Sequence, residues 1–387
     1  MASPVGDSYS CPSGGLIAAG RRYLPPGFPA AALTWGEVGS NTLSAVDPAL
    51  DPLVNPNYPG DAPWIGSNGF ASVVSGWSGG AWDEPNRRLL ITGGGHADYA
   101  GNEVYQWSAL TGLFTRLINP TGAIGNTGVL NDGLDGTNPA YFDGRPRSAH
   151  TYGNLLVVNG EFWNFQGSNY SSGFGVRSAY KLVGDSWVRQ TTRTFGASYG
   201  MTVWDSLRSR FLLISSGNGR PVWWKPSDDT TGQMAYWTNN DAQEAYGVYD
   251  ARRDIVLQLS KYVTCLKCND TADAVQITTT GTGPNWASYT AIGNPSRTGL
   301  VYDYDNDRYL VWGNGASIYV LTPPAVGQNP LTATWTWSKI DPDAGNTVTP
   351  SSAASNGTYG RFWHSPSLKC CGVVNSVTQK MYVFRLE

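Results

Sequence analysis

The chain has 387 residues, of which 41% are hydrophobic, 12% aromatic and only 14% charged, with 47 glycines and 24 prolines. A formal net charge of −3, from 26 basic and 29 acidic side chains, offers no basic face for nucleic acid. No apolar run approaches the roughly 18 residues needed to cross a bilayer. Many turn formers and few charges favour short strands over long helices or disorder.

Residues 1–30 read as an N-terminal extension. Met1 to Ser10 has no basic stretch followed by an apolar one, so no secretory signal is expected. The run Ala32-Leu33-Thr34-Trp35-Gly36-Glu37-Val38 reads as a strand opening a single domain, residues 31–387. Segments 39–70 and 119–145 are rich in Asn, Pro and Gly and read as long loops, of the kind that carry function or pack on a partner.

A recurring unit begins after the first long loop: a short strand, a polar turn, then a strand of large apolar residues. Clear copies start at Ala81-Trp82-Asp83, Thr202-Val203-Trp204-Asp205, Gly247-Val248-Tyr249-Asp250 and Leu300-Val301-Tyr302-Asp303. Poorer copies lie at 149–158 and 371–384. Trp-bearing strands follow several of them, at Ser186–Arg189, Ala235–Thr238 and Thr334–Ser338. Positions 83, 205, 250, 303 and 375, with the copy near 150, recur at about 58 residues, close to the ~50 of kelch arrays. Six blades are expected, beginning near 71, 146, 196, 244, 296 and 358, and the 31–38 strand supplies the outer strand missing from the last. Such closure removes exposed edges. A seventh blade built partly from residues 1–70 is the alternative.

The stretch Leu89-Leu90-Ile91-Thr92-Gly93-Gly94-Gly95-His96-Ala97-Asp98-Tyr99, running on to Tyr105, places a histidine in the loop between a second and a third strand. The other two histidines, His150 and His364, fall near the starts of first strands, so all three are expected on one face of the disc. Asp98 and Tyr99 share the His96 loop. Arg145 and Arg147 precede His150, Arg361 and Trp363 precede His364, and Tyr199 and Arg297 hold analogous places in other blades. His96, Tyr99, His150 and His364 are the candidate proton-transfer groups. Asp98, Arg145, Arg147, Tyr199, Arg297, Arg361 and Trp363 are the candidate ligand contacts, since arginine clamps carboxylates and aromatic rings stack on sugars. No two histidines share a local spacing, so no metal centre and no cofactor is expected. Cys11, Cys265, Cys268, Cys370 and Cys371 read as free structural thiols.

The Gly93-Gly94 doublet, Tyr105 and the Trp strands resemble the kelch and galactose-oxidase-like propellers over residues 71–387. The resemblance implies an all-β, six-bladed propeller. Copper-oxidase chemistry is disfavoured, because Gly95, Ala149 and Trp363 precede the three histidines where that group has tyrosine. A second resemblance, to propeller-fold polysaccharide lyases, implies β-elimination on a uronate. It implies His150 or Tyr99 as base, His96 or His364 as acid, and Arg147 or Arg361 as neutraliser of the carboxylate. The His96 loop also resembles propeller proteins encoded by bacterial viruses, which implies a tail or capsid component. The leading expectation is a non-catalytic interaction module that binds protein neighbours or an acidic glycan, without nucleic acid or membrane. The uronate lyase is the alternative.

Overall fold

The computed structural model describes residues 24–124, 138–170, 177–195, 199–214, 220–235, 244–259, 262–269, 274–284 and 298–387. These form a six-bladed β-propeller, six small antiparallel sheets set radially about one axis, with Thr279–Gly281 added parallel to Trp335–Ile340 at the edge of the fifth and a separate two-stranded pair, Ala149–His150 with Ser168–Asn169. The inner strands are Ala81–Asp83, Leu155–Val158, Met201–Asp205, Tyr246–Asp250, Gly299–Asp303 and Phe362–Ser365.

Four blades begin with the hairpin that the sequence repeats. The copy read at 149–158 does not form one, because Ala149–His150 pairs with Ser168–Asn169 outside the blade and Leu155–Val158 is itself the inner strand of blade two, pairing with Glu161–Asn164. The last inner-strand residue in four blades is a fully buried aspartate: Asp83, Asp205, Asp250 and Asp303. Its carboxylate accepts from an arginine beside the turn, Arg88 at 2.8 Å, Arg210 at 2.9 Å, Arg253 at 2.8 Å and Arg308 at 2.8 Å. A buried carboxylate needs such a partner. The residue entering the second strand, Arg87, Ser209, Asp254 or Asp307, takes a left-handed φ of +49° to +53°, which suits a tight hairpin. Neighbouring blades are also tied at these turns: Arg208 grips Asp254 at 2.6 Å and Arg253 grips Asp307 at 2.7 Å.

The sixth blade departs from the expected repeat. Ser365 stands where four of the blades have aspartate, as Val158 does in blade two, and the unit read at 371–384 is the second and third strands, Cys370–Val373 and Met381–Arg385. In the third blade the outer strand is Thr230–Gln233. The expected Trp strand at 235–238 follows it, and residues 236–238 lie outside the described residues.

The ring closes through Thr34–Val38, which pairs antiparallel with Met381–Arg385 in the sheet of blade six. Trp35 and Val38 on this strand are buried. Residues 1–23 of the expected N-terminal extension, and residues 125–137 of the second long loop, lie outside the described residues. The first long loop is built of short 3-10 turns, Leu43–Val46, Pro48–Leu50 and Gly69–Ala71. Its Leu43, Val54 and Trp64 are buried in the core shared by blades six and one. Cys265, Cys268, Cys370 and Cys371 are free and buried, and burial pushes their thiols up; Cys11 lies outside the described residues.

Candidate functional site

The disc has two faces. One carries the inner hairpin turns. The other, the loop face, carries the starts of the inner strands and the loops between second and third strands. The glycine run after Ile91 brings the His96 loop onto the start of blade two at the loop face. A Cβ on Gly95, whose φ is +61°, would overlap the backbone nitrogen of His150. Only glycine permits that approach. The Gly95 N–H donates to Ser148 Oγ at 2.9 Å and the His96 N–H to the Ser168 carbonyl at 3.2 Å.

Two charged or polar groups then meet. His150 Nε2 lies 2.8 Å from Asp98 Oδ2. Asn68 and Ser67, from the first long loop, donate to the other oxygen of Asp98. Burial pulls His150 below the usual histidine range, although Asp98 acts in the opposite direction. The ring is therefore neutral near pH 7, donating through Nε2–H and leaving Nδ1 as an acceptor. The exposed His96 ring lies 5.7 Å from His150 and close to parallel, and the Trp77 ring lies 4.8 Å away.

A chain of edge-to-face tyrosines leads inward. Tyr152 meets His150 at 6.1 Å, Tyr199 at 5.7 Å and Tyr359 at 6.0 Å, and Tyr359 meets Tyr246 at 6.3 Å. These ring geometries are the favoured ones for aromatic pairs. Trp77, His96, Tyr152 and Tyr359 all have left-handed backbones, with φ of +50°, +47°, +46° and +48°. For bulky residues that region is strained.

The structure thus gathers His96, Asp98, His150 and Tyr199 from the sequence-based candidates. It moves others away. His364 is the third residue of the four-residue strand Phe362–Ser365, one short of the hairpin turn, and its electrostatic neighbours are Asp303, Glu84 and Arg308. It belongs to the turn face, so the three histidines do not share a face. Tyr99 is buried and donates to Glu103 Oε1 at 2.8 Å. Arg361 is buried and donates to the carbonyls of Ser78, Val374 and Gly357; burial pulls it down to about 9. It latches blade six to the chain entering blade one. Arg147 is buried, donates to the Asn138 carbonyl at 2.8 Å and lies over Tyr141. Arg145 pairs with Asp143 and the Asn119 carbonyl away from the histidines. Trp363 is core, stacked on Trp82 at 4.0 Å. Arg297 lies outside the described residues.

Sequence reading missed Trp77, Tyr152, Tyr246 and Tyr359. A signal for three of them was present. The chain contains four Tyr-Gly dipeptides, Tyr152-Gly153, Tyr199-Gly200, Tyr246-Gly247 and Tyr359-Gly360, and all four stand at or just before an inner strand. The glycine makes room for a neighbour's ring: a Cβ on Gly153 would sit 2.7 Å from the Tyr246 ring. Among the described residues, no group of three or more His, Cys, Asp or Glu side chains is placed to hold a metal ion.

No family model and no curated protein matches the chain. Solved structures do. A structural-genomics protein of unknown function from Bacteroides thetaiotaomicron VPI-5482 aligns at 11% identity and a TM-score of 0.48, over 90% of this chain and 75% of that one. The major Malassezia sympodialis allergen Mala s 1 aligns at 8% identity and a TM-score of 0.46, over 80% of this chain and 92% of that one. At these values the likeness assigns no activity. The propeller fold itself is compatible with a non-catalytic interaction module.

Proposed function

We propose that the protein is a non-catalytic binding propeller that recognises a glycan at its loop face. The supporting observation is the convergence of Trp77, His96, Tyr152 and Tyr359, all in left-handed backbone conformation, on one cluster of rings. Each such residue costs about 1–3 kcal/mol, and strain of this kind concentrates at binding and catalytic sites. The exposed His96 and the part-exposed Trp77, Asp98 and Tyr199 combine ring faces with hydrogen-bonding groups. Arg147 and Arg361 are engaged inside the fold, so recognition at this face rests on stacking and hydrogen bonds instead of a carboxylate clamp. Kelch ancestry, carried by the resemblance of the Gly93-Gly94 doublet, Tyr105 and the Trp strands, and a place in a phage tail or capsid, carried by that of the His96 loop, are the finer forms of this proposal.

Binding to an immobilised panel of neutral and acidic glycans tests the reading. The wild-type protein is expected to retain at least one glycan, and Trp77→Ala to weaken it about tenfold or more, a loss of roughly 1.4 kcal/mol. A wild-type protein that retains none contradicts it.

The Asp98–His150 pair favours a second reading, because a carboxylate that orients an imidazole also equips it as a base. A uronate lyase would abstract the proton beside the carboxylate with His150 and protonate the leaving oxygen with His96. Incubation with uronate polysaccharides tests this through the absorbance of new unsaturated ends. No signal from any of them removes the lyase.

A further inference from the structure

A cavity of about 540 Å³ runs along the axis. Its lining includes Tyr246 but not Tyr152 or Tyr359, so the tyrosine chain separates it from the histidine pair. At the other end the lining runs out to Ser206, Ala251 and Tyr304 in the inner hairpin turns. The cavity therefore opens on the turn face, opposite the site described above.

One register position builds that mouth. The next-to-last residue of each inner strand lines the cavity: Trp82, Val157, Trp204, Tyr249, Tyr302 and His364. Five blades out of six thus place a ring at one level. The arginines at the rim are paired with carboxylates. Arg208 holds Asp254 and Arg253 holds Asp307, and the Tyr249 and Tyr302 hydroxyls donate to the same two carboxylates. The Arg252 guanidinium carbon lies over the Tyr304 ring, 4.0 Å from its centroid.

Besides the exposed Ser206 hydroxyl at the mouth, three polar groups of the lining are not consumed in this way. The Trp204 indole N–H, the Tyr246 hydroxyl and the His364 imidazole make no hydrogen bond within the described residues. Burial keeps His364 below the usual histidine range, so its neutral ring offers one donor and one acceptor.

The ligand chemistry follows from these constraints. An anionic ligand entering the cavity loses its hydration and finds Arg208 and Arg253 already committed to Asp254 and Asp307. A wholly apolar ligand displaces water from three polar groups and pairs none of them. A molecule with an apolar face and scattered hydroxyls meets both demands. A volume of this size, walled by aromatic rings with a few convergent polar groups, is in the usual range for small-ligand sites. We propose that the turn-face mouth of the channel is a binding site for a neutral pyranose, stacked on the ring of aromatic residues and hydrogen-bonded to Trp204, Tyr246 and His364. This site is separate from the loop-face site and does not depend on it.

Titration with the methyl glycosides of glucose, galactose, mannose and N-acetylglucosamine, followed by saturation-transfer NMR and calorimetry, tests the proposal. At least one glycoside is expected to bind, with Trp204→Ala weakening it about tenfold or more and Trp77→Ala leaving it unchanged. Should Trp204→Ala fail to fold, His364→Gln is expected to weaken the same glycoside while the fold, checked by near-ultraviolet circular dichroism, is retained. The proposal is overturned if no glycoside binds, or if binding survives the turn-face substitutions. Loss of binding in Trp77→Ala alone assigns the sugar to the loop face and overturns it as well.

Discussion

Truncation of the chain to begin at residue 39 is expected to abolish the soluble monomer. The strand Thr34–Val38 pairs along its whole length with Met381–Arg385. Its Trp35 is buried against Phe384 with ring centroids 5.0 Å apart, and the indole N–H donates to the Ala316 carbonyl at 2.8 Å. Removing the strand exposes a ladder of unpaired backbone groups on a strand whose Met381, Val383 and Phe384 were buried. An apolar open edge of this kind is a template for aggregation. Even Trp35→Ala alone is expected to cost about 3–5 kcal/mol, a large share of the 5–15 kcal/mol that holds a typical domain. Size-exclusion chromatography and thermal unfolding check both variants. A truncated chain that stays monomeric with an unchanged melting temperature contradicts the closure described here.

Glu103→Gln is expected to raise stability above neutral pH and to change it little at pH 5. Glu103 is buried beneath the His96 loop, where the hydroxyls of Tyr99 and Tyr105 both donate to Oε1, at 2.8 Å and 2.7 Å. Its other oxygen, Oε2, has no partner among the described residues. Burial pushes the carboxyl up to about 7, against the lowering effect of the two tyrosine hydrogen bonds, and Asp47 adds to the rise. Burial pushes Tyr99 and Tyr105 up as well, and Arg116 acts on both in the opposite sense. A carboxyl raised in the folded state is stabilising when protonated. Its contribution is complete below the ordinary glutamate range and is lost as pH rises through about 7. The glutamine amide keeps the acceptor for the tyrosines and cannot ionise. The difference between the two proteins at pH 8 is expected to reach about 3 kcal/mol, given about 1.4 kcal/mol per pH unit. Melting temperatures across pH 5 to 8 measure it, and parallel curves for the two proteins contradict it.

The hairpins were legible in the sequence because each is local. An aspartate, a polar turn and an apolar strand lie within about a dozen residues and are held by contacts inside the same blade, as between Asp205 and Arg210. The closing strand was legible because its apolar pattern lacks a partner nearby in the chain. Blades two and six were misread where Val158 and Ser365 replace the aspartate that marks the turn in the other four. His96, Asp98 and His150 were legible as a group because both carrying loops leave the same face of adjacent blades.

The rest of the site depends on depth, which residue type does not reveal. Arg361 and Arg147 look like surface cations in sequence, yet both are buried and bonded to backbone carbonyls. His364 was assigned to the wrong face by a shift of a few residues along one short strand. Tyr152 and Tyr359 were not singled out in the sequence, and their placement emerges only when four blades bring their Tyr-Gly steps to one axis.

On the proposed function, ligand recognition occurs where the His96 loop meets the start of blade two. Hydrogen–deuterium exchange with and without the glycan retained by the panel tests it most directly. New protection is expected in peptides covering Trp77, Gly93–Tyr99 and Ser148–Tyr152. Protection confined to other blades, or the same exchange in both states, contradicts recognition at this place.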